Sequence, residues 1–343
     1  MKKGKEKINL KGLWLDDYER MLDDLGEKRF RARQLAQWIY AKRATDFSQM
    51  SDFSKDLRDR LNQIAYIENI KLVKSQTSQK DISEKFLFEL NDREKVESVL
   101  MLEGKRVTAC ISTQAGCPLG CTFCATGKMG FKRNLTSGEI VDQALAMTAF
   151  KPATHAVLMG MGEPLMNYDN TLQAMRIMNN EMGLSLTAGK ITLSTAGIPS
   201  MIEKLADENM KFGLAISLNA PTDEKRNRLM PVNKKHPLDK LMKAAKTFNK
   251  KTKRRVTFEY VLIKDINDSE KDALALSKLV AGIRCKINLI PYNPVPDLPY
   301  ERPSEEKILA FREYLYPRCP AVTLRRSKGE DIFAACGQLR TES

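Results

Sequence analysis

The chain has 343 residues, 42% of them hydrophobic, which suits a globular protein with one large α/β unit and a smaller companion rather than a disordered chain. Lys and Arg number 57 against 43 Asp and Glu, and the resulting net charge of +14 points to a polyanionic partner, with nucleic acid the usual one. No apolar run is long enough to span a bilayer and the lysine-rich start lacks the apolar core of a signal peptide, so the expectations are a cytoplasmic location and no membrane partner; seven cysteines in that setting favour metal or redox chemistry over structural disulfides.

Residues 1–11 read as a basic tail. Leu13 to Leu25, Phe30 to Arg43 and Ser51 to Ile64 have apolar residues at helical spacing, so residues 1–80 form a small helical accessory region that either holds RNA or packs on the rest. Lys85 to Leu90 and Lys95 to Leu102 alternate as strands around an Asn91-Asp92 turn. From Arg106 the pattern is strand then helix. Strands are expected at Val107–Thr113, Thr154–Met159, Lys190–Ser194, Phe212–Leu218, Val256–Ile263 and Lys286–Ile290. Helices fall between them at Ser137–Phe150, Tyr168–Asn180, Ile198–Asn209, Leu238–Lys250 and Ser269–Ile283. Six such units argue for a parallel sheet with right-handed crossovers across residues 81–343. Lys225 to Val256 carries thirteen Lys and Arg and a single acid, Asp239. Such a run is expected to contact RNA phosphates, with a solvated helix face as the alternative.

The densest chemical signal follows the first of these strands. Cys117, Cys121 and Cys124 stand at C-x3-C-x2-C, with Gly116 and Gly120 allowing tight turns. Three thiolates on one loop can hold three irons of a 4Fe-4S cluster and leave the fourth open to a substrate. A structural zinc site would need a fourth ligand, and no second cysteine pair exists. Buried or zinc-bound cysteines remain the alternative.

The wording around these thiols is more specific than their spacing. Gly116-Cys-Pro-Leu-Gly-Cys-Thr-Phe-Cys-Ala-Thr-Gly127, Phe131-Lys-Arg-Asn-Leu-Thr136, Gly160-Met-Gly-Glu-Pro-Leu165 and Ala334-Ala-Cys-Gly-Gln-Leu339 resemble the radical S-adenosylmethionine (SAM) RNA adenine methyltransferases of the RlmN/Cfr group. The resemblance runs from about Leu10 to Leu339. It implies a partial (β/α)6 barrel, a 4Fe-4S cluster on Cys117, Cys121 and Cys124, and SAM bound at the strand ends by Gly162, Glu163, Ser194, Ser217, Leu218, Asn219 and Asn293. Each of these is a weak signal alone, since Gly, Ser and Asn are common after strands. Asn219 departs from the histidine usual there, although a carboxamide still hydrogen-bonds.

The resemblance also implies a route. Cys336 takes a methyl from one SAM. A radical derived from a second SAM activates that methyl, which adds to the electron-poor adenine ring. Glu97 accepts the ring proton, and Cys110 resolves the adduct as a transient disulfide with Cys336. Basic residues before Cys336, beginning Arg325-Arg326, suit a thiolate. Phe333 is a second departure, where Asp or Gly is frequent. Cys285 and Cys319 match no motif and read as buried apolar residues. The implied partners are 23S rRNA, tRNA and an electron donor such as flavodoxin or ferredoxin. Pro164 after Glu163 and the intact Phe131–Leu135 resemble the branch that methylates adenine C2; the branch that methylates C8 and confers antibiotic resistance tends to have Ala after that Glu.

Overall fold

The computed structural model describes residues 7–149, 151–208 and 210–341. Residues 1–6 of the expected tail and the expected helix ends Phe150 and Asn209 lie outside the described residues. The N-terminal region contains β1 (Ile8–Asn9), α1 (Leu15–Asp24), α2 (Phe30–Ala36) running on through a π-helical turn at Gln37–Ala41, α3 (Lys55–Ile64) and β2 (Ala65–Tyr66), which pairs with β1 in parallel. Residues 8–11 are therefore built in, contrary to the expected tail. Lys11 is buried because its ammonium finds Asp142 at 2.7 Å and Asn69 Oδ1 at 2.6 Å. The third helix starts at Lys55 rather than Ser51 because Ser54 caps it, its Oγ accepting from Leu57 N–H at 3.1 Å.

The remaining elements are β3 (Lys71–Thr77), β4 (Ser83–Glu89), β5 (Lys95–Glu103), β6 (Arg106–Cys110), β7 (Gln114–Gly116), α4 (Ala125–Lys128), β8 (Phe131–Asn134), α5 (Ser137–Met147), β9 (His155–Leu158), α6 (Tyr168–Asn179), β10 (Ile191–Thr195), α7 (Pro199–Asp207), β11 (Gly213–Ser217), α8 (Asp223–Leu229), α9 (Leu238–Thr252), β12 (Val256–Leu262), α10 (Glu270–Leu279), β13 (Cys285–Pro291), α11 (Glu305–Leu315) and β14 (Val322–Leu324). One sheet runs β14-β13-β12-β11-β10-β9-β6-β5-β4-β3. From β6 to β14 all neighbours are parallel, and the crossovers are helical. From β6 to β3 the pairing is antiparallel. The sheet stays open, with β14 and β3 as edges, so this is the expected partial barrel with an added meander. Residues 71–77, assigned by sequence to the helical region, belong to the sheet as β3. The first parallel strand stops at Cys110, where the ladder to β9 ends. Cys110 thus sits at a C-terminal strand end, where sites on such sheets gather.

Helix α9 shows how the barrel is held. Leu238, Leu241, Met242, Ala245 and Phe248 recur at helical spacing and are all buried, while Lys243, Lys246 and Lys250 face outward. The helix runs antiparallel to the strands and ends at Lys253 in a left-handed turn (φ 57°) that feeds straight into β12. Its last lysines therefore lie at the N-terminal edge of the sheet, ~20 Å from the strand ends that carry the site. This part of the basic run reads as a solvated face. Arg226, counted in the same run, is buried.

Candidate active site

Between β6 and α5 the chain leaves the sheet and wraps a cavity of about 190 Å³. The antiparallel pair β7–β8 flanks the cysteine loop, β7 ending at Gly116 and β8 beginning at Phe131. Gly116 there has φ +73°, and a Cβ would come 2.0 Å from Gly130 O, so no other residue fits. Cys117 N–H donates to Gly130 O at 2.8 Å and Thr122 N–H to Leu229 O at 3.0 Å, which pins the loop at both ends. Phe123 packs with Met230 and Tyr292 beneath it.

Cys117, Cys121 and Cys124 all line the cavity. Burial pushes the Cys117 thiol up to about 12, with Cys124 and Glu163 adding to the effect. Burial also raises Cys121, with its neighbours Cys124 and Cys117 adding, and raises Cys124. Thiols that oppose one another's ionisation are donors facing one space, and they become good ligands when a cation fills it. Three such donors fit a 4Fe-4S cluster with one iron left for a further ligand.

The opposite wall is made of strand ends. Glu163 is buried, and its carboxylate accepts Leu165 N–H at 3.0 Å and Ala196 N–H at 2.7 Å. Burial raises its pKa, and these backbone donors lower it again. Gly162 has φ +99°, and a Cβ would strike Gln114 at 2.6 Å. Gly162, Glu163, Ser194, Ser217 and Asn219 line the cavity; Leu218 is buried behind it. Asn219 has φ 58°, a left-handed conformation that Asn tolerates better than most residues. Its Oδ1 accepts Val261 N–H at 2.9 Å, so the carboxamide ties two strand ends together. Asn293 is not on the cavity wall. It holds the C-terminal loop instead, donating from Nδ2 to Cys336 O at 3.0 Å and accepting from Ser327 Oγ and Arg302.

That loop brings Cys336 into the cavity beside Cys110. Burial, with Cys336 adding, pushes Cys110 up to about 12, and Arg325 opposes this. Arg325 is itself raised by Cys336, Glu259 and Cys110, and so stands among all three. All seven cysteines are free thiols here. Glu97 is buried on β5 but does not line the cavity. Its carboxylate meets Lys85 Nζ at 3.0 Å and accepts Arg340 N–H at 2.9 Å. Of the two unassigned cysteines, Cys285 is buried and Cys319 is only partly so, which corrects the expectation for Cys319.

A profile described as the radical SAM superfamily matches residues 111–276, and one described as the ribosomal RNA large subunit methyltransferase N-terminal domain matches residues 8–67. A dual-specificity RNA methyltransferase RlmN of Syntrophus aciditrophicus is 45% identical over 337 residues, covering 97% of this chain and 96% of that protein. The chain belongs to the RlmN family. Another RlmN, from Syntrophotalea carbinolica, is 46% identical over 97% of this chain and 90% of its own. The crystal structure of a radical SAM methyltransferase from Sphaerobacter thermophilus superposes with a TM-score of 0.92 at 42% identity, covering 98% of this chain and all (100%) of that one. The cofactors of this family are a 4Fe-4S cluster and SAM, and the RlmN proteins are enzymes of RNA methylation.

Within this RlmN-family site, sequence reasoning missed two charged side chains. Glu259 lines the cavity from the middle of β12, where Asn288 Nδ2 donates to it at 2.8 Å. A lone carboxylate in the apolar run Val-Thr-Phe-Glu-Tyr-Val-Leu was the available signal. Arg226 lies just behind the wall and was hidden among neighbouring lysines.

Proposed function

We propose that this chain methylates C2 of an adenine in 23S rRNA, at the peptidyl-transferase centre, and an anticodon-adjacent adenine in some tRNAs, through a methyl group carried on Cys336. The observation that carries this reading is the convergence of three cluster thiols, Cys336 and Cys110 on one cavity. The cluster with SAM supplies a radical able to take hydrogen from a methyl group, as an electron-poor ring carbon requires. The chain's own residues do the rest. Gly162, Glu163, Ser194, Ser217, Leu218 and Asn219 shape the wall for SAM, and Asn293 sets the height of the Cys336 loop. Cys336 carries the methyl carbon to the base. Glu97 takes the ring proton once Arg340 has lifted away from it. Cys110 then attacks the Cys336 sulfur: the sulfur–sulfur bond forms, the carbon–sulfur bond breaks, and the methylene left on the base takes up a proton to become the methyl group.

The target base must leave its stack, which a structured RNA loop allows at low cost. Residues 1–80 supply accessory RNA contacts, where half-exposed Phe30 lies under Arg31, 5.0 Å from its guanidinium. The enzyme works in the cytoplasm with a flavodoxin or ferredoxin as donor; among the described residues no helix is long and apolar enough to cross a membrane. Anaerobic incubation of the reconstituted protein with SAM, reductant and unmodified 23S rRNA or tRNA, followed by nucleoside mass spectrometry, tests the reading. We expect 2-methyladenosine, absent with Cys336→Ala. A peak of 8-methyladenosine would move the protein to the C8 branch.

A further inference from the structure

Among the described residues, Arg226 heads the fully buried side chains by size, with 0% exposure. Its Nε donates to Leu218 O at 3.0 Å and its Nη1 to Asn233 Oδ1 at 2.8 Å. Its Nη2 donates to Ser217 O at 3.1 Å and also to Ala196 O. All four acceptors are neutral. Asp223, whose charge acts on Arg226, is turned away, accepting Asn233 Nδ2 at 2.7 Å and Leu238 N–H at 2.9 Å. A buried guanidinium without a paired carboxylate is expensive to keep. Burial pushes Arg226 down to about 10, and two of the residues it holds, Ser217 and Ala196, line the same cavity as Cys117, Cys121 and Cys124. The helix carrying Arg226 also carries Leu229, whose carbonyl holds the cluster loop through Thr122 N–H at 3.0 Å. One side chain thus binds the ends of β10 and β11 and stands behind the wall of the cavity that the cluster ligands line.

We propose that Arg226 is a positioning residue whose buried charge favours the reduced form of the cluster held by Cys117, Cys121 and Cys124, while its fork fixes the strand ends that SAM lies against. This rests on those three thiols holding the cluster. One electron from a low-potential donor of the flavodoxin or ferredoxin class is added, no bond to the protein breaks, and the cluster with its thiolates becomes more negative by one charge. An apolar pocket solvates that added charge poorly, and a fixed cation behind the cavity wall offsets it. The neutral hydrogen-bond partners leave the guanidinium charge uncompensated for this purpose.

The test uses the full chain, reconstituted anaerobically, with wild type, Arg226→Gln and Arg226→Lys compared. Iron and sulfide content are measured first, then the reduced fraction by EPR at controlled potentials. Arg226→Gln is expected to keep its iron and lower the reduced-to-oxidised ratio at a given potential by roughly tenfold, about 59 mV for a one-electron couple. Arg226→Lys keeps the charge but cannot reach all four acceptors. It is expected to titrate like wild type while binding SAM roughly tenfold more weakly. A wild-type titration curve for iron-loaded Arg226→Gln overturns the proposal, as does an equal shift in both variants. If Arg226→Gln fails to fold, Arg226→Lys decides: an unchanged titration with weakened SAM binding supports the proposal, and a shifted titration overturns it. Wild-type protein that takes up no iron would instead sink the cluster reading itself.

Discussion

Two loops bring thiols to the same cavity and are held to different degrees. The loop of Cys117, Cys121 and Cys124 is packed from below by Phe123, Met230 and Tyr292 and tied by backbone bonds, with glycine where nothing larger fits. The loop of Cys336 has buried Ala334, Ala335 and Leu339 and one backbone bond, from Ala125 N–H to Gly337 O at 2.7 Å, and is otherwise held by single polar contacts. Gly329 N–H donates to Asp81 at 2.8 Å, Asp331 accepts from Ser78 Oγ at 2.7 Å, Gln338 donates to Pro294 O at 2.7 Å, and Arg340 N–H meets Glu97. Such a bond is worth about 1 kcal/mol net, or about 1.5–3 kcal/mol where the acceptor is a carboxylate, because water replaces it on release. A cluster ligand must not move, whereas a methyl carrier must travel between donor, base and resolving thiol. The energetics of the two loops follow that division.

The largest expected effects separate the loops outright. Cys121→Ala should abolish both iron binding and RNA methylation, whereas Cys336→Ala should abolish methylation with the iron content unchanged; iron assay beside nucleoside mass spectrometry decides. A 4Fe-4S content lost in Cys336→Ala would break the comparison. Next comes pH. Burial holds Cys110 protonated at neutral pH, with its pKa pushed up to about 12, so its thiolate fraction grows tenfold per pH unit below that value. Resolution of the RNA–Cys336 adduct should quicken ~100-fold from pH 7 to pH 9 in quenched single-turnover experiments. A flat profile would mean that another step limits release. Asn293→Ala removes two hydrogen bonds from the Cys336 loop, those to Cys336 O and Ser327 Oγ, and should speed alkylation of Cys336 roughly tenfold, with the cluster absorption unchanged. The smallest effect concerns Phe333, which is 46% exposed and left-handed at φ 52°. Phe333→Asn should stabilise the protein by about 1 kcal/mol, read as a small rise in Tm.

The sheet was legible because its parallel strands are buried on both faces and alternate with amphipathic helices. Where a strand broke that rule, sequence reasoning failed. β3, Lys-Leu-Val-Lys-Ser-Gln-Thr, is an exposed edge and carries no alternation. β14 is three residues long, too short for a period to show. Among the site residues, Cys117, Cys121, Cys124, Cys110 and Cys336 were found through spacing and family wording. The wall residue Glu259 and the buried Arg226 were not, because their burial depends on which distant strands close around them. Phe333 stood out only as a departure from the family wording, and its positive φ is a conformation that Gly adopts more readily than Phe.

Ala196 shows what the fixed wall means in time. Its N–H donates to buried Glu163 and its carbonyl accepts from Arg226, so the peptide units on both sides of this residue are clamped. The Arg340 N–H rests on Glu97 alone. In deuterated water the first amide should exchange only when the barrel opens, and the second whenever the C-terminal loop lifts. The ratio of the two rates is then a clock for the carrier, readable without RNA, and SAM that settles the loop should slow the second amide while leaving the first unchanged.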